Sequence, residues 1–252
     1  ILILYFCPTL SLGNAILPLG ALDNLTESLI VHGEKCRPHS QPWQVAIFRS
    51  DDSFNCGGVL VHPQWVLSAA HCYQSSYTIK LGRHNLYANY KPGRRTMMAN
   101  FSVKHPRYTE KPKRNDIMLI KLKEPVRESA SIRTITMASQ CTAPGTTCVT
   151  SGWAGPGRVE TCQPQCTWPA PYLLSYGHHR NSLLYTPRKR INGETRKQPP
   201  KKGDSGGPLI CGGLLQGILS TGRIPCVPYR KPCRYTKVCD FYEWIRHIIE
   251  AN

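Results

Sequence analysis

Residues 54–72 read FNCGGVLVHPQWVLSAAHC and contain two short apolar runs on either side of a turn. These runs are GVLV at 58–61 and WVLSA at 65–69, and polar residues and a proline separate them. Short apolar runs bounded by turn residues are typical of β-strands. The same pattern recurs along the chain, at residues 43–48, 77–82, 117–122, 146–152 and 208–220. The sequence therefore predicts an all-β protein with the patterning of a barrel.

The C-terminal residues follow a different period. Phe241, Ile245, Ile248 and Ile249 recur at the spacing of one helix face, and Asp240 precedes them as a candidate N-cap. We expect a C-terminal amphipathic helix that packs on a barrel.

Three short segments supply the groups needed for nucleophilic acyl transfer. His71 ends the first stretch, Asp116 lies in NDIML at 115–119, and Ser205 lies in GDSGGP at 203–208. A serine hydroxyl is a weak nucleophile until an imidazole accepts its proton, and a buried carboxylate holds that imidazole in the required tautomer. We expect Ser205 to be the nucleophile, His71 the general base and then acid, and Asp116 the group that orients His71. Unrelated hydrolases carry the same three groups in other chain orders, so the order histidine, aspartate, serine is informative.

The order and the amino-acid sequences of these segments resemble those of the chymotrypsin-like serine proteases, and within that family those of the tissue kallikreins. The resemblance covers roughly residues 30–162 and 203–252. It is carried by CRPHSQPWQVAIF at 36–48, FNCGGVLVHPQWVLSAAHC at 54–72, RNDIMLIKL at 114–122, GDSGGPLICGG at 203–213, LLQGILS at 214–220 and YTKVCDFYEWI at 235–245. It implies two antiparallel six-stranded β-barrels with a C-terminal helix. It also implies a monomeric endopeptidase that needs no cofactor, cuts protein substrates and is bound by protease inhibitors.

Residues 163–202 depart from the family. Their six prolines and scattered charges leave little periodicity, so the pattern indicates loop where the family places strands of the second barrel. The segment also holds eight Lys or Arg residues and one Glu, a large share of the net charge of +17. We interpret its basic runs at 188–190 and 201–202 as solvated loop charges, with a polyanion-binding module as the weaker alternative. We hypothesise a changed reading frame or an altered exon join here.

The N-terminal residues and the cysteines predict the compartment. Residues 1–29 are expected to hold a signal-like apolar segment and a short propeptide, before a peptidase domain at 30–252. The apolar run is short and is interrupted by Pro8 and Gly13, so it does not predict a membrane span. Twelve cysteines without zinc-type spacing favour disulfides over a metal site. We expect a secreted, extracellular protein without a nucleic-acid or membrane partner.

The resemblance also implies how the site is activated. Cleavage before Ile30 creates an N-terminal amine that pairs with Asp204, and the amides of Gly203 and Ser205 form the oxyanion hole. Leu29 departs from the Lys or Arg that the family usually carries at the cleavage position. A trypsin-like activator is therefore not expected to cut there.

The substrate-binding pocket is the part that departs most from the family. By resemblance its residues are Pro199, Ser220, Gly222 and Cys233. Pro199 stands where trypsin-like members carry an aspartate, and Cys233 stands where a small glycine keeps the pocket open. We expect trypsin-like cleavage to be lost. The alternative is a catalytically inactive, kallikrein-like binding protein whose pocket does not form.

The same resemblance implies three disulfides, and it leaves other pairings open. The implied pairs are Cys56–Cys72, Cys141–Cys239 and Cys148–Cys211. Cys36 is assigned to Cys162 or to Cys166, and a Cys226–Cys233 pair remains an open alternative.

Overall fold

The computed structural model describes residues 34–87, 93–153, 161–167, 182–186, 204–221 and 233–252. For Glu34 and for residues 161–167 and 182–186 it describes the backbone alone. Most of the described elements are strands. They are β1 (Glu34–Lys35), β2 (Gln44–Phe48), β3 (Phe54–His62), β4 (Trp65–Ser68), β5 (Tyr77–Leu81), β6 (Arg95–Ala99), β7 (Phe101–Lys104), β8 (Thr109–Glu110), β9 (Lys113–Arg114), β10 (Met118–Lys121), β11 (Thr147–Gly152), β12 (Thr161–Thr167), β13 (Ser182–Thr186), β14 (Pro208–Cys211), β15 (Leu214–Thr221) and β16 (Cys233–Lys237). Helix α1 (Tyr242–Ala251) ends the chain, and 3-10 helices occupy Ala70–Cys72 and Cys239–Phe241.

The first barrel is an antiparallel sheet in the order β6-β5-β2-β3-β4-β10-β7. Its two edge strands, β6 and β7, are consecutive in the chain and are separated by Asn100 alone. One continuous segment therefore pairs with β5 at one edge and with β10 at the other. This closes the sheet into a barrel of six strand segments. Closure leaves the sheet without a free edge.

The second barrel closes in the same manner through β12 and β13. Its sheet runs in the order β1-β12-β11-β14-β15-β16-β13, and β12 also pairs with β13. Six strands therefore form a ring, and β1 adds to it at β12. The expectation of two antiparallel six-stranded barrels is confirmed.

The two strands that close this ring fall in the segment whose pattern indicated loop. β12 overlaps residues 163–202 and β13 lies inside them. The loop interpretation is therefore wrong for these two stretches. The backbone of β12 pairs with β11, and that of β13 pairs with β16. Strand formation depends strongly on such neighbours, and a local side-chain pattern does not report them.

Buried apolar side chains explain why the first barrel forms. All five residues of β2 and all four of β4 are buried. Full burial is what a short, largely continuous apolar run predicts for a strand. β5 alternates between buried and half-buried side chains. The predicted strand at 208–220 is two strands, because Gly212 and Gly213 take positive φ angles of 57° and 80° and turn the chain between β14 and β15.

Helix α1 returns the end of the chain to the first barrel. Ile245 is fully buried in the core cluster that also holds the buried apolar residues of β4 and β10, and Trp244, Ile248 and Ile249 pack against this cluster. Lys121, at the end of β10, donates a hydrogen bond to the carbonyl of Asn252. The predicted N-cap is wrong. Asp240 lies inside the 3-10 helix, and the residue before α1 is Phe241, which makes no side-chain capping bond.

A connecting segment joins the two barrels. Ile135 donates its backbone N–H to Leu60 of the first barrel at 3.0 Å. Three residues later, Ala138 donates to Leu215 of the second barrel at 3.0 Å. Between the barrels, the hydroxyl of Ser151 also donates to Gln44 Oε1 at 2.7 Å. The boundary between the barrels is therefore held by hydrogen bonds.

Disulfides tie neighbouring elements within and beside the barrels. The structure contains Cys56–Cys72, Cys141–Cys239 and Cys148–Cys211. Cys36 and Cys233 are disulfide-bonded as well. The backbone of β1 pairs with that of β12 beside Cys162. Cys226 lies outside the described residues, as do Ile30 and the predicted leader.

Within the described part of the chain, no helix has the length and apolarity of a membrane span.

We expect Leu67→Ala to destabilise the protein strongly. Leu67 is fully buried in β4 and pairs with both β3 and β10. Truncating a buried leucine costs about 2–5 kcal/mol, because contacts are lost and a cavity remains. The matched control is Leu214→Ala at a side chain that is 39% exposed, and it should cost less than about 1 kcal/mol. Denaturant unfolding followed by circular dichroism measures both. Equal losses would contradict this account of the core.

Candidate active site

His71 lies at the boundary between the barrels. It belongs to the 3-10 helix that follows β4, between the buried residues Ala70 and Cys72. The Cys56–Cys72 disulfide ties this turn to β3. The His71 side chain itself is 18% exposed, so one part of the ring faces the interior and another is accessible.

Asp116 precedes β10 and is 2% exposed. Its Oδ2 atom lies 2.8 Å from His71 Nδ1, and its Oδ1 atom accepts the backbone N–H of His71 at 2.9 Å. Because an ionised carboxylate can only accept, Nδ1 carries the ring proton and Nε2 is left as an acceptor. The second barrel supplies another donor, the hydroxyl of Ser220, at 2.6 Å from Oδ2. The carboxylate therefore joins the barrels and sets the tautomer of His71.

The hydrogen bonds keep Asp116 ionised despite its burial. Burial alone opposes the charged form, but the hydrogen bond and charge of His71, followed by the hydrogen bond from Ser220, outweigh it. Together they hold the pKa of Asp116 below its ordinary value. The site thus contains a buried carboxylate that is charged at neutral pH.

Ser205 lies in a turn directly before β14. Its carbonyl accepts the N–H of Gly57 at 2.8 Å and lies 4.0 Å from Cys72 Sγ, next to His71. Gly206 has a φ of 83°, and a Cβ there would overlap Ser68 Oγ and the carbonyl of Gly57. Only glycine fits this conformation and this close approach. Among the described residues, no hydrogen bond joins the Ser205 hydroxyl to the His71 ring. Such contacts often tighten only when substrate binds.

Asp204 is buried beside the serine, at 6% exposure. Its Oδ1 atom accepts the backbone N–H of Trp153 at 2.8 Å. A Cβ on Gly152 would overlap this carboxylate, so the glycine is needed for the approach of β11. Gly203, which was predicted to form the oxyanion hole with Ser205, and Ile30, the predicted activation partner of Asp204, lie outside the described residues.

The structure describes two of the four predicted pocket residues. Cys233 begins β16, is fully buried and is disulfide-bonded. Ser220 is also buried, at 4% exposure, and its hydroxyl is used by Asp116. Pro199 and Gly222 lie outside the described residues.

Sequence reasoning missed two residues beside Asp116. Thr236 of β16 donates its hydroxyl to the carbonyl of Asp116 at 3.0 Å. Tyr108 also lies near the carboxylate, and burial, reinforced by the charges of Asp116 and Glu110, raises its pKa to about 12. Residues 233–237 were not among the predicted strands, and only the folded arrangement of β16 shows that Thr236 reaches Asp116.

Two clusters of potential metal ligands occur in the described part of the chain. They are Cys56, His71 and Cys72, and Cys141, Cys239 and Asp240. Each contains a disulfide, and it is the thiolate form of cysteine that binds metals. The chemistry of both donor sets therefore does not suit a metal ion.

Replacing Ser220 with alanine tests the support of Asp116. Ser220→Ala removes a hydrogen bond to a buried charge, so the unfolding free energy at neutral pH should fall by about 1.5–3 kcal/mol. The lowered pKa of Asp116 contributes stability that is fully present above the unfolded-state pKa of about 3.9 and is lost as the pH falls through the folded-state value. The difference between variant and wild type should therefore shrink below about pH 4.

Denaturant unfolding at several pH values measures this difference. The matched control is Ser53→Ala, because Ser53 donates to the exposed carboxylate of Asp51 and should matter little. A constant loss across the pH range would contradict the role given to the Ser220 hydroxyl.

Similarity to known proteins identifies the family of this chain. The model of the family described as Trypsin matches residues 30–245. Human kallikrein-4 is 46% identical over 236 residues, which cover 92% of each chain. Kallikrein-15 of Saguinus oedipus is 40% identical over 240 residues, covering 88% of this chain and 92% of its own.

A solved structure agrees with these relatives. It is neuropsin, a serine protease expressed in the limbic system of mouse brain, with a TM-score of 0.74 and 32% identity. The likeness covers 86% of this chain and 99% of neuropsin. The chain belongs to the trypsin family of serine endopeptidases and is similar, within that family, to the kallikreins.

Proposed function

We propose that this protein is a secreted serine endopeptidase that cuts peptide bonds through an acyl-enzyme, with His71, Asp116 and Ser205 as its catalytic residues. The observation that carries the proposal is the 2.8 Å contact between His71 Nδ1 and the buried Asp116 carboxylate, beside the turn that holds Ser205. The resemblance to kallikreins supports secretion, and the disulfides suit an oxidising compartment.

The proposed reaction proceeds in two halves. His71 Nε2 accepts the proton of the Ser205 hydroxyl while its oxygen attacks the peptide carbonyl carbon. The amides of Gly203 and Ser205 hold the resulting oxyanion. The same His71 proton passes to the leaving amine as the peptide bond breaks, which leaves an acyl group on Ser205. A water molecule, deprotonated by His71, then releases the acid and restores the serine.

Activation follows from the position of Asp204. We propose that cleavage before Ile30 frees an amine that pairs with this carboxylate and orders the oxyanion loop, within a peptidase domain of residues 30–252. The burial of Asp204 directly beside Ser205 supports the proposal, because an amine paired with this carboxylate would act on the turn that holds the serine. The family match also begins at residue 30. The proposed partners are protein substrates and protease inhibitors, and the proposed active form is a monomer.

A fluorophosphonate probe tests the proposed catalytic residues. The full chain carrying Leu29→Lys would be cut before Ile30 by a trypsin-like protease, and the protease would then be removed. We expect the probe to label the cleaved protein at Ser205, since the paired imidazole activates that hydroxyl. Labelling is read by mass spectrometry of the modified peptide.

The matched controls are Ser205→Ala, which should abolish labelling, and the uncut chain, which should react far more slowly. A folded, cleaved protein that is not labelled would contradict the proposal and favour a binding protein without catalysis.

Peptide hydrolysis tests the pocket. We expect poor cleavage after Arg or Lys, because Pro199 provides no carboxylate to pair with a buried cation. Peptides that vary only the residue before the scissile bond give the kcat/KM values. Cleavage after Arg at least about 10-fold better in Pro199→Asp than in wild type would support this pocket position. Efficient Arg cleavage by the wild type would refute it.

A further inference from the structure

Arg234 occupies a strand position that faces the proposed catalytic centre. It is the second residue of β16, and side chains two apart on a strand share one face. Thr236, on that face, donates its hydroxyl to the carbonyl of Asp116 at 3.0 Å. Tyr235 lies between them and points the other way, where its hydroxyl donates to Thr150 Oγ1 in the second barrel. Alternation therefore gives Arg234 the side of β16 that meets Asp116.

The pairing of β16 with the neighbouring strand β15 also places Arg234 close to Asp116. Arg234 pairs with Thr221 of β15, and a register shift between Leu219 and Thr221 lies at Ser220. The Ser220 hydroxyl is the second-barrel donor to Asp116 Oδ2, at 2.6 Å. Arg234 is thus flanked, along its own strand and across to the next, by the residues that hold Asp116.

The Arg234 guanidinium and the Asp116 carboxylate interact through their opposite charges. Burial lowers the pKa of Arg234, and the negative charge of Asp116 acts in the opposite direction, so the two groups interact electrostatically. A guanidinium nevertheless remains protonated in proteins. Among the described residues, the His71 ring also acts on Asp116, and the charge of Asp116 in turn acts on Tyr108. Tyr108 is neutral near pH 7, because burial, reinforced by the charges of Asp116 and Glu110, raises its pKa to about 12.

We infer that Arg234 is a positioning residue for the proposed catalytic pair: its fixed positive charge favours the ionised Asp116 and opposes a second positive charge on the His71 ring. The inference rests on the proposed function, because it concerns the same histidine and aspartate. A neighbouring cation favours a carboxylate and disfavours an imidazolium. The charge of Arg234 therefore favours the ionised carboxylate and the neutral ring, which is the form of the pair that can accept a proton.

The test compares charge-removing and charge-keeping variants of the cleaved full chain. Arg234→Met and Arg234→Gln remove the charge, Arg234→Lys keeps it, and Arg246→Met removes a half-exposed charge on helix α1 as the matched control. Two readouts are taken against pH: the rate of fluorophosphonate labelling and the NMR titration of the His71 ring proton. We expect both midpoints to move to higher pH by about half a unit or more in the two neutral variants. They should stay unchanged in Arg234→Lys and Arg246→Met.

The other possible results would overturn either the role of Arg234 or the proposed catalytic function. Midpoints that coincide in wild type and in a folded neutral variant would overturn the inference. Failure of both neutral variants to fold would also overturn it, since Arg234 would then be needed for folding. A wild type without Ser205 labelling would overturn the proposed function alone, because the NMR titration still reports whether Arg234 acts on His71.

Discussion

The proposed active centre depends on one buried carboxylate that accepts hydrogen bonds from both barrels. Asp116 is 2% exposed, and a buried charge is costly unless it is hydrogen-bonded. His71 supplies two contacts from the first barrel, and Ser220 supplies one from the second. Thr236 adds a bond to the Asp116 backbone. Separating the barrels would strip donors from this carboxylate, so the arrangement that orients His71 is also the one that stabilises the charge.

A second set of contacts between the barrels positions Ser205. The turn at Ser205 bonds to Gly57 of the first barrel, and Gly206 packs against Ser68 and that same glycine with no room for a Cβ. The proposed nucleophile is therefore held by backbone contacts, whereas the proposed base is held by a side-chain carboxylate. Both constraints act at the barrel boundary, so neither barrel alone could hold His71 and Ser205 in this arrangement.

The sequence predicts what is local and misses what depends on pairing across the fold. The strand pattern of residues 54–72 and the helical spacing around Ile245 match the structure, because burial imposes these periods directly. The N-cap assignment to Asp240 is wrong, since a 3-10 turn precedes the helix. The strands β12 and β13 form through backbone pairing that their composition does not reveal. For the same reason, the contacts of Ser220 and Thr236 with Asp116 could not be predicted.

A double-mutant cycle measures most directly whether His71 and Asp116 act as one unit upon Ser205. The rate of serine labelling would be compared for His71→Ala, Asp116→Asn and the double variant. Residues that act together are strongly non-additive, so the double variant should lose little more than His71→Ala alone. Independent losses that multiply in the double variant, or no loss in either single variant, would contradict the account.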